Sequence, residues 1–188
     1  MTSTFAFRNR LAGAALAVLF SAFPAIAQTP GVENFHKVND TLYRGAQPTE
    51  TGFRSLAQMG VKTVLDLREF DSRSRAEKQM VEAAGMRYVN VPLQGTNVPS
   101  NSDVALAVAL LNDPAAGPVF VHCRRGADRT GTVIAAYRVT HDGWTGDKAL
   151  REAKELGMAW YAKGMQHYIL GYHAPVENAA AATRAGTY

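Results

Sequence analysis

Apolar and polar positions along this chain change period several times, and the changes mark out alternating extended and helical segments. After a short lead-in over 33–38, residues 41–45 read as a first extended segment. Pro48 or Thr49 opens a helix in which Phe53, Leu56, Ala57 and Met59 form an apolar face, and Gly60 stops it. Residues 61–67 are rich in β-branched side chains and predict a strand. The charged stretch 68–75 is loop or helix start, followed by a helix over 76–84 that ends at Gly85. Alternation over 86–91 predicts a third strand, closed by Pro92.

Residues 94–102 are dense in Gly, Asn, Ser and Pro and predict a loop, with a helix over 103–111 capped by Ser102 or Asp103. Asp113-Pro114 and Gly117-Pro118 break the chain before a strand over 119–122. A helix over 130–141 is broken at Gly143, and Thr145 or Asp147 opens another that reaches Leu156. Residues 165–172 predict a last helix, and the Ala-rich segment 176–188 reads as a disordered tail.

Strands separated by helices predict an α/β, three-layer domain over residues 28–175. Its mostly parallel central sheet has about four or five strands flanked by helices. Ligands of such sheets bind beyond the carboxyl ends of the strands.

The first 27 residues follow another pattern. Arg8 and Arg10 precede an apolar run over 11–23, and Ala25-Ile26-Ala27 supplies small residues at a cleavage site. That order is a secretory signal peptide, with cleavage after Ala27. The run is shorter than the roughly 20 residues that span a bilayer, so no stable membrane insertion is expected after cleavage and a periplasmic or secreted location is. Losing two arginines and no acids lowers the formal net charge from +4 to +2, which gives no reason to expect nucleic acid as a partner. The single cysteine excludes an internal disulfide. An exported lone thiol is open to oxidation, so its surroundings decide whether it is inert core or chemistry.

Those surroundings are His122-Cys123-Arg124-Arg125-Gly126-Ala127-Asp128-Arg129-Thr130-Gly131, set between a strand and a helix. Backbone N–H groups at a helix N-terminus, reinforced by the helix dipole, form a nest for a tetrahedral anion. Gly126 lets the backbone take a turn that a side chain would obstruct. The same field favours thiolate at Cys123, which makes it a candidate nucleophile on phosphorus. Arg129 can grip two phosphate oxygens in a fork, Thr130 can donate to the cysteine sulfur, and His122 orients the loop rather than acting as a base. Arg124, Arg125, Gly126, Ala127, Asp128 and Arg129 form the candidate phosphate cradle. Arg124 and Arg125 add positive charge at its rim, partly cancelled by Asp128.

His-Cys-x5-Arg-Thr resembles the signature of the protein tyrosine phosphatase superfamily, dual-specificity branch. The likeness extends to Leu42-Tyr43-Arg44-Gly45-Ala46-Gln47-Pro48, Val64-Leu65-Asp66-Leu67-Arg68 and Gly143-Trp144, and is similar to small periplasmic bacterial phosphatases of that branch. The resemblance implies a phosphocysteine intermediate, no metal, no cofactor, and an aspartic acid that protonates the leaving oxygen. Asp103 is the carboxylate in the loop where such an acid belongs, and its plainer reading is a helix cap. Asp128, Asp66 and Glu69 are the substitutes.

The expected partner is a phosphorylated protein or a small anionic phosphate ester. Phosphotyrosine, phosphoserine, phosphothreonine, inositol phosphates and lipid phosphates present the same dianion, and oligomeric state is not readable. A rhodanese-type sulfurtransferase and a non-catalytic phosphate-binding module are the competing readings. Asp66 and Arg68 read as braces, Arg73, Arg75 and Lys78 as an exposed helix face, and Trp144, Trp160 and Tyr161 as packing aromatics.

Overall fold

The computed structural model describes residues 29–174, together with Met1. The expected signal segment and the expected tail lie outside the described residues, Met1 apart. The chain runs β1 (His36–Lys37), β2 (Leu42–Ala46), α1 (Glu50–Gln58), β3 (Thr63–Asp66), α2 (Ser72–Ala83) and β4 (Arg87–Asn90). It continues with α3 (Asn101–Asn112), a 3-10 turn (Pro114–Ala116), β5 (Val119–Cys123), α4 (Asp128–His141), α5 (Gly146–Glu155) and α6 (Lys163–Gly171).

The five strands order as β1-β2-β5-β3-β4. Only β1 is antiparallel, pairing His36 with Arg44; β2, β5, β3 and β4 run parallel. The expected mostly parallel sheet is therefore present, and β5 lies in its interior between β2 and β3. Strand side chains alternate between faces, and β5 divides its own accordingly. Val119, Val121 and Cys123 join a core with Val133, Ile134 and Tyr137 of α4 and Ala107 of α3. Phe120 joins the opposite core with Phe53 and Leu56 of α1 and Val81 of α2. A third cluster packs α5 and α6 against Ala135 of α4. Helices thus cover both faces, which gives the three layers. Among the described residues no helix is long and apolar enough to cross a membrane.

Several boundaries shift by a few residues, and at two helix starts a side-chain cap explains the difference. α3 starts earlier, with Ser100 as its cap rather than Ser102 or Asp103; Ser100 Oγ accepts the Asp103 N–H at 3.1 Å. α2 starts at Ser72 instead of residue 76, because Asp71 and Ser74 close a reciprocal capping box.

Candidate active site

Cys123 ends β5, and the loop after it enters α4 with no side chain capping the helix start. The first N–H groups of α4 are therefore left for an outside acceptor. Behind the loop, each carbonyl has been given a donor. Gln47 N–H reaches Arg124 O at 3.3 Å, and Asn34 Nδ2 reaches Arg125 O and Gly126 O at 3.2 Å each. Arg44 Nη2 donates to Gly126 O at 2.7 Å, and Ala127 O accepts from Gly131 N–H at 2.8 Å. With the carbonyls held on the outside, the N–H groups are free to converge on the concave side.

Gly126 makes this turn possible twice over. Its φ is +68°, and a Cβ there would lie 2.3 Å from the carbonyl of Gly45. Only glycine fits both the left-handed conformation and the approach to the β2 backbone.

Cys123 is buried at the end of β5, beside the core shared with α4. Burial pushes its thiol up, but the Thr130 hydroxyl and N–H, the Arg129 guanidinium and the Arg125 N–H together hold it below the ordinary thiol value. Thr130 Oγ1 is buried with no well-aligned hydrogen-bond partner, which leaves its hydroxyl available to that sulfur. Arg129 is half-buried at the first turn of α4, with Nη1 3.4 Å from Leu93 O. Leu93 also lines a cleft with Pro92, Gln94, Val98, Pro99, Ser100 and Asp103. Asp103 thus borders the wall that steadies Arg129, on the first turn of α3 with its backbone, not its carboxylate, engaged by Ser100.

Two of the other candidate acids are committed elsewhere. Asp128 Oδ1 accepts from Ala159 N–H at 2.8 Å and Oδ2 from Arg125, so it ties the loop to the segment before α6. Asp66 is fully buried and takes Arg68 on both oxygens, at 2.9 and 2.7 Å, and the Tyr88 hydroxyl at 2.9 Å. Glu69 is exposed.

His122 points to the other face of the sheet, into a buried cluster with Asp66, Arg68 and Glu77. Its Nε2 lies 2.7 Å from Glu77 Oε1, an ion pair off the best hydrogen-bond alignment. Arg68 Nη2 reaches Glu77 Oε2 at 2.6 Å. His122 Nδ1 lies 3.3 Å from Cys123 O. Both ring nitrogens therefore face acceptors that cannot donate, which favours an imidazolium. Burial pulls His122 down, yet the hydrogen bond and charge of Glu77, with Asp66, leave it raised. Asp66, Glu77 and His122 place donor atoms within 4.8 Å of one another. Arg68 already fills the space between the two carboxylates, and two cations against two anions leave the cluster neutral, so it does not fit a metal ion.

Trp160 and Tyr161 are not packing aromatics: they are 78% and 51% exposed. They meet edge to face at 5.7 Å, and Tyr161 Oη accepts from Arg125 Nη2 at 3.3 Å, which puts them on the rim of the loop. Arg124 and Arg125 are exposed there too. Trp144 does pack, under Arg138 and Lys148. Asn34 and Glu77 carry no local sequence signature, and Arg44 has only its place inside the Leu-Tyr-Arg-Gly-Ala-Gln-Pro run to mark it.

A strand-end cysteine, a carbonyl-out, amide-in loop and a helix-borne arginine define a cysteine-dependent phosphatase domain. A family model described as "DSP-PTPase phosphatase fused to NAD+ Kinase" matches residues 17–163. The chain belongs to this family, within the dual-specificity protein tyrosine phosphatases. It is 32% identical over 136 residues to the dual specificity protein phosphatase TpbA of Pseudomonas aeruginosa strain UCBPP-PA14, covering 71% of this chain and 60% of TpbA. It thus spans less than two thirds of that relative's length. To the human phosphatidylglycerophosphatase and protein-tyrosine phosphatase 1 it is 26% identical over 161 residues, covering 82% and 79%. The crystal structure of a cysteine-to-serine variant of P. aeruginosa TpbA in complex with phosphotyrosine superposes with a TM-score of 0.63 at 26% identity, covering 85% of this chain and 99% of that one.

Proposed function

We infer that this protein is an exported cysteine-dependent phosphomonoester hydrolase whose substrates are phosphotyrosine, phosphoserine and phosphothreonine proteins. The observation that carries this is the Cys123 sulfur, lowered towards thiolate inside a loop whose carbonyls are all turned outward. The phosphoryl group sits on the loop amides and the Arg129 fork. Cys123 Sγ attacks phosphorus, and the bond to the leaving oxygen breaks as Asp103 gives that oxygen its proton. A water, losing a proton to Asp103, then cleaves the phosphocysteine, and Thr130 stabilises the departing thiolate. His122, held by Glu77 on the far face, orients the loop and takes no proton. The TpbA phosphotyrosine complex supports the aromatic substrate. The signal-like residues 1–27 support export.

A second reading, a lipid or inositol phosphate as substrate, is favoured by the exposed Trp160 and Tyr161 beside Arg124 and Arg125. The name of the human relative points the same way. A turnover screen of the mature domain separates the two, using phosphopeptides, inositol phosphates and phospholipid vesicles with Cys123→Ser as control. Phosphopeptide turnover lost in Cys123→Ser is expected; phosphate release by that variant would sink the nucleophile assignment. Asp103→Asn should lose about 10²–10⁴-fold on an alkyl phosphate and much less on nitrophenyl phosphate. Equal losses on both would remove Asp103 from the reaction.

A further inference from the structure

Arg44 is the largest fully buried side chain of the described residues, at 0% exposure, and it stands in the middle of β2 directly beside β5. A buried arginine ordinarily has a carboxylate partner, because leaving the charge unpaired costs several kcal/mol. Here none of the described carboxylates lies within ion-pair distance of it. Its one bond is Nη2 to Gly126 O at 2.7 Å, while Nε and Nη1 have no hydrogen-bond partner. The groups whose charge reaches it are Glu152, Cys123 and Arg138, and His36 feels it in turn. Glu152 is not free to serve, since Arg138 holds both of its oxygens at 2.8–3.3 Å.

We propose that Arg44 is a positioning residue whose unpaired buried charge fixes the phosphate loop at Gly126 and is balanced by the Cys123 thiolate and the bound phosphoryl group. The proposal rests on Cys123 being the nucleophile of the phosphatase reaction. In this arrangement the loop carbonyl and the ligand dianion share one cation between them, from behind and from in front. In the unliganded protein only the Cys123 thiolate offsets this charge, and an oxyanion in the loop completes the balance. Arg129 grips the phosphoryl group directly; Arg44 acts through the loop and through the field at the sulfur, and touches no reacting atom.

The test compares the parent with Arg44→Gln and Arg44→Lys. Two quantities are read: the pH dependence of Cys123 alkylation by the neutral reagent iodoacetamide, and the thermal midpoint with and without inorganic phosphate. In Arg44→Gln the alkylation profile should move to higher pH, slowing the reaction at pH 6 by about tenfold. The rise in midpoint produced by phosphate should shrink, while the midpoint without phosphate stays level or rises. Arg44→Lys keeps the charge without the fork, so its alkylation profile should return towards the parent's while KM for an aryl phosphate stays raised. A structural brace would give the opposite: an unmoved alkylation profile, with the midpoint falling equally with and without phosphate. That result overturns the proposal. If Arg44→Gln does not fold, Arg44→Lys decides: a rise in midpoint with phosphate far below the parent's, despite the kept charge, overturns the proposal. A parent that releases no phosphate from any ester would sink the phosphatase reading, while alkylation and phosphate stabilisation would still judge Arg44.

Discussion

Two buried charged regions flank β5, and they are built on opposite plans. On one face, Asp66, Arg68, Glu77 and His122 close on one another with contacts of 2.6–2.9 Å, and two anions meet two cations. On the other face, in register with Val121, Arg44 has a single carbonyl and no counter-ion among the described residues. The first region is complete in the free protein. The second is completed only when the loop holds a negative charge. Self-sufficiency in one and want in the other separate what keeps the fold from what waits for substrate. Charges are buried in both, so burial alone does not distinguish them; the partner count does.

Substitutions on the two sides should therefore part stability from turnover. Glu77→Gln leaves His122 and Arg68 short of an anion in the interior, and should cost about 3–5 kcal/mol of unfolding free energy. Chemical denaturation measures this, and a loss under ~1 kcal/mol would mean that the cluster is not a closed unit. On the open side, Arg129→Ala should remove about 2.7–4 kcal/mol of transition-state stabilisation, by analogy with one oxyanion-hole donor. Its denaturation midpoint should hardly move. A fall in activity below tenfold would take Arg129 out of the phosphoryl grip.

A smaller effect comes from pH. His122 is raised in the folded protein, so its contribution is fully present below the ordinary value of 6.5 and is lost as pH rises through the raised one. Asp66 is lowered, because the Arg68 hydrogen bonds and the charges of His122 and Arg68 outweigh its burial. Its contribution is present above 3.8 and lost as pH falls through the lowered value. Stability from the cluster should peak between these limits and decline on the alkaline side. Replacing the ring in His122→Asn should flatten that alkaline decline; an unchanged slope would assign it to another group.

The parts of the site legible in the sequence were those with a local signature. The run Val119-Phe120-Val121-His122 had to be a buried strand, Gly126 had to be a turn, and cysteine and arginine six positions apart had to share one loop. Less local features escaped. β1 is two residues long, too short for any period to show. Ser100 stands in a row of Ser and Asn residues, each able to cap α3. Glu77 lies among Arg73, Arg75 and Lys78, and composition reads such a helix as solvated, although Ser74, Glu77 and Val81 line its buried face. Trp160 and Tyr161 have the size of core residues, and their place on the rim follows from the tether between Asp128 and Ala159. Arg44 is an arginine inside a strand, and the family-like run around it does not announce that Gly126 will need it.

The close approach of Gly126 to Gly45 carries a consequence for how the chain matures. The loop takes its shape by resting on a strand about eighty positions earlier, and contacts of such separation form late and slowly. Until β2 has docked beside β5, the loop lacks the Gly45 backbone and the Arg44 side chain it rests on, so Thr130, Arg129 and the loop amides are not yet fixed around Cys123. Its reactivity arises together with the finished sheet. A half-folded chain would be correspondingly slow to form sulfenic acid or mixed disulfides, so that the order of assembly itself shields the cysteine during the interval when the chain is most exposed.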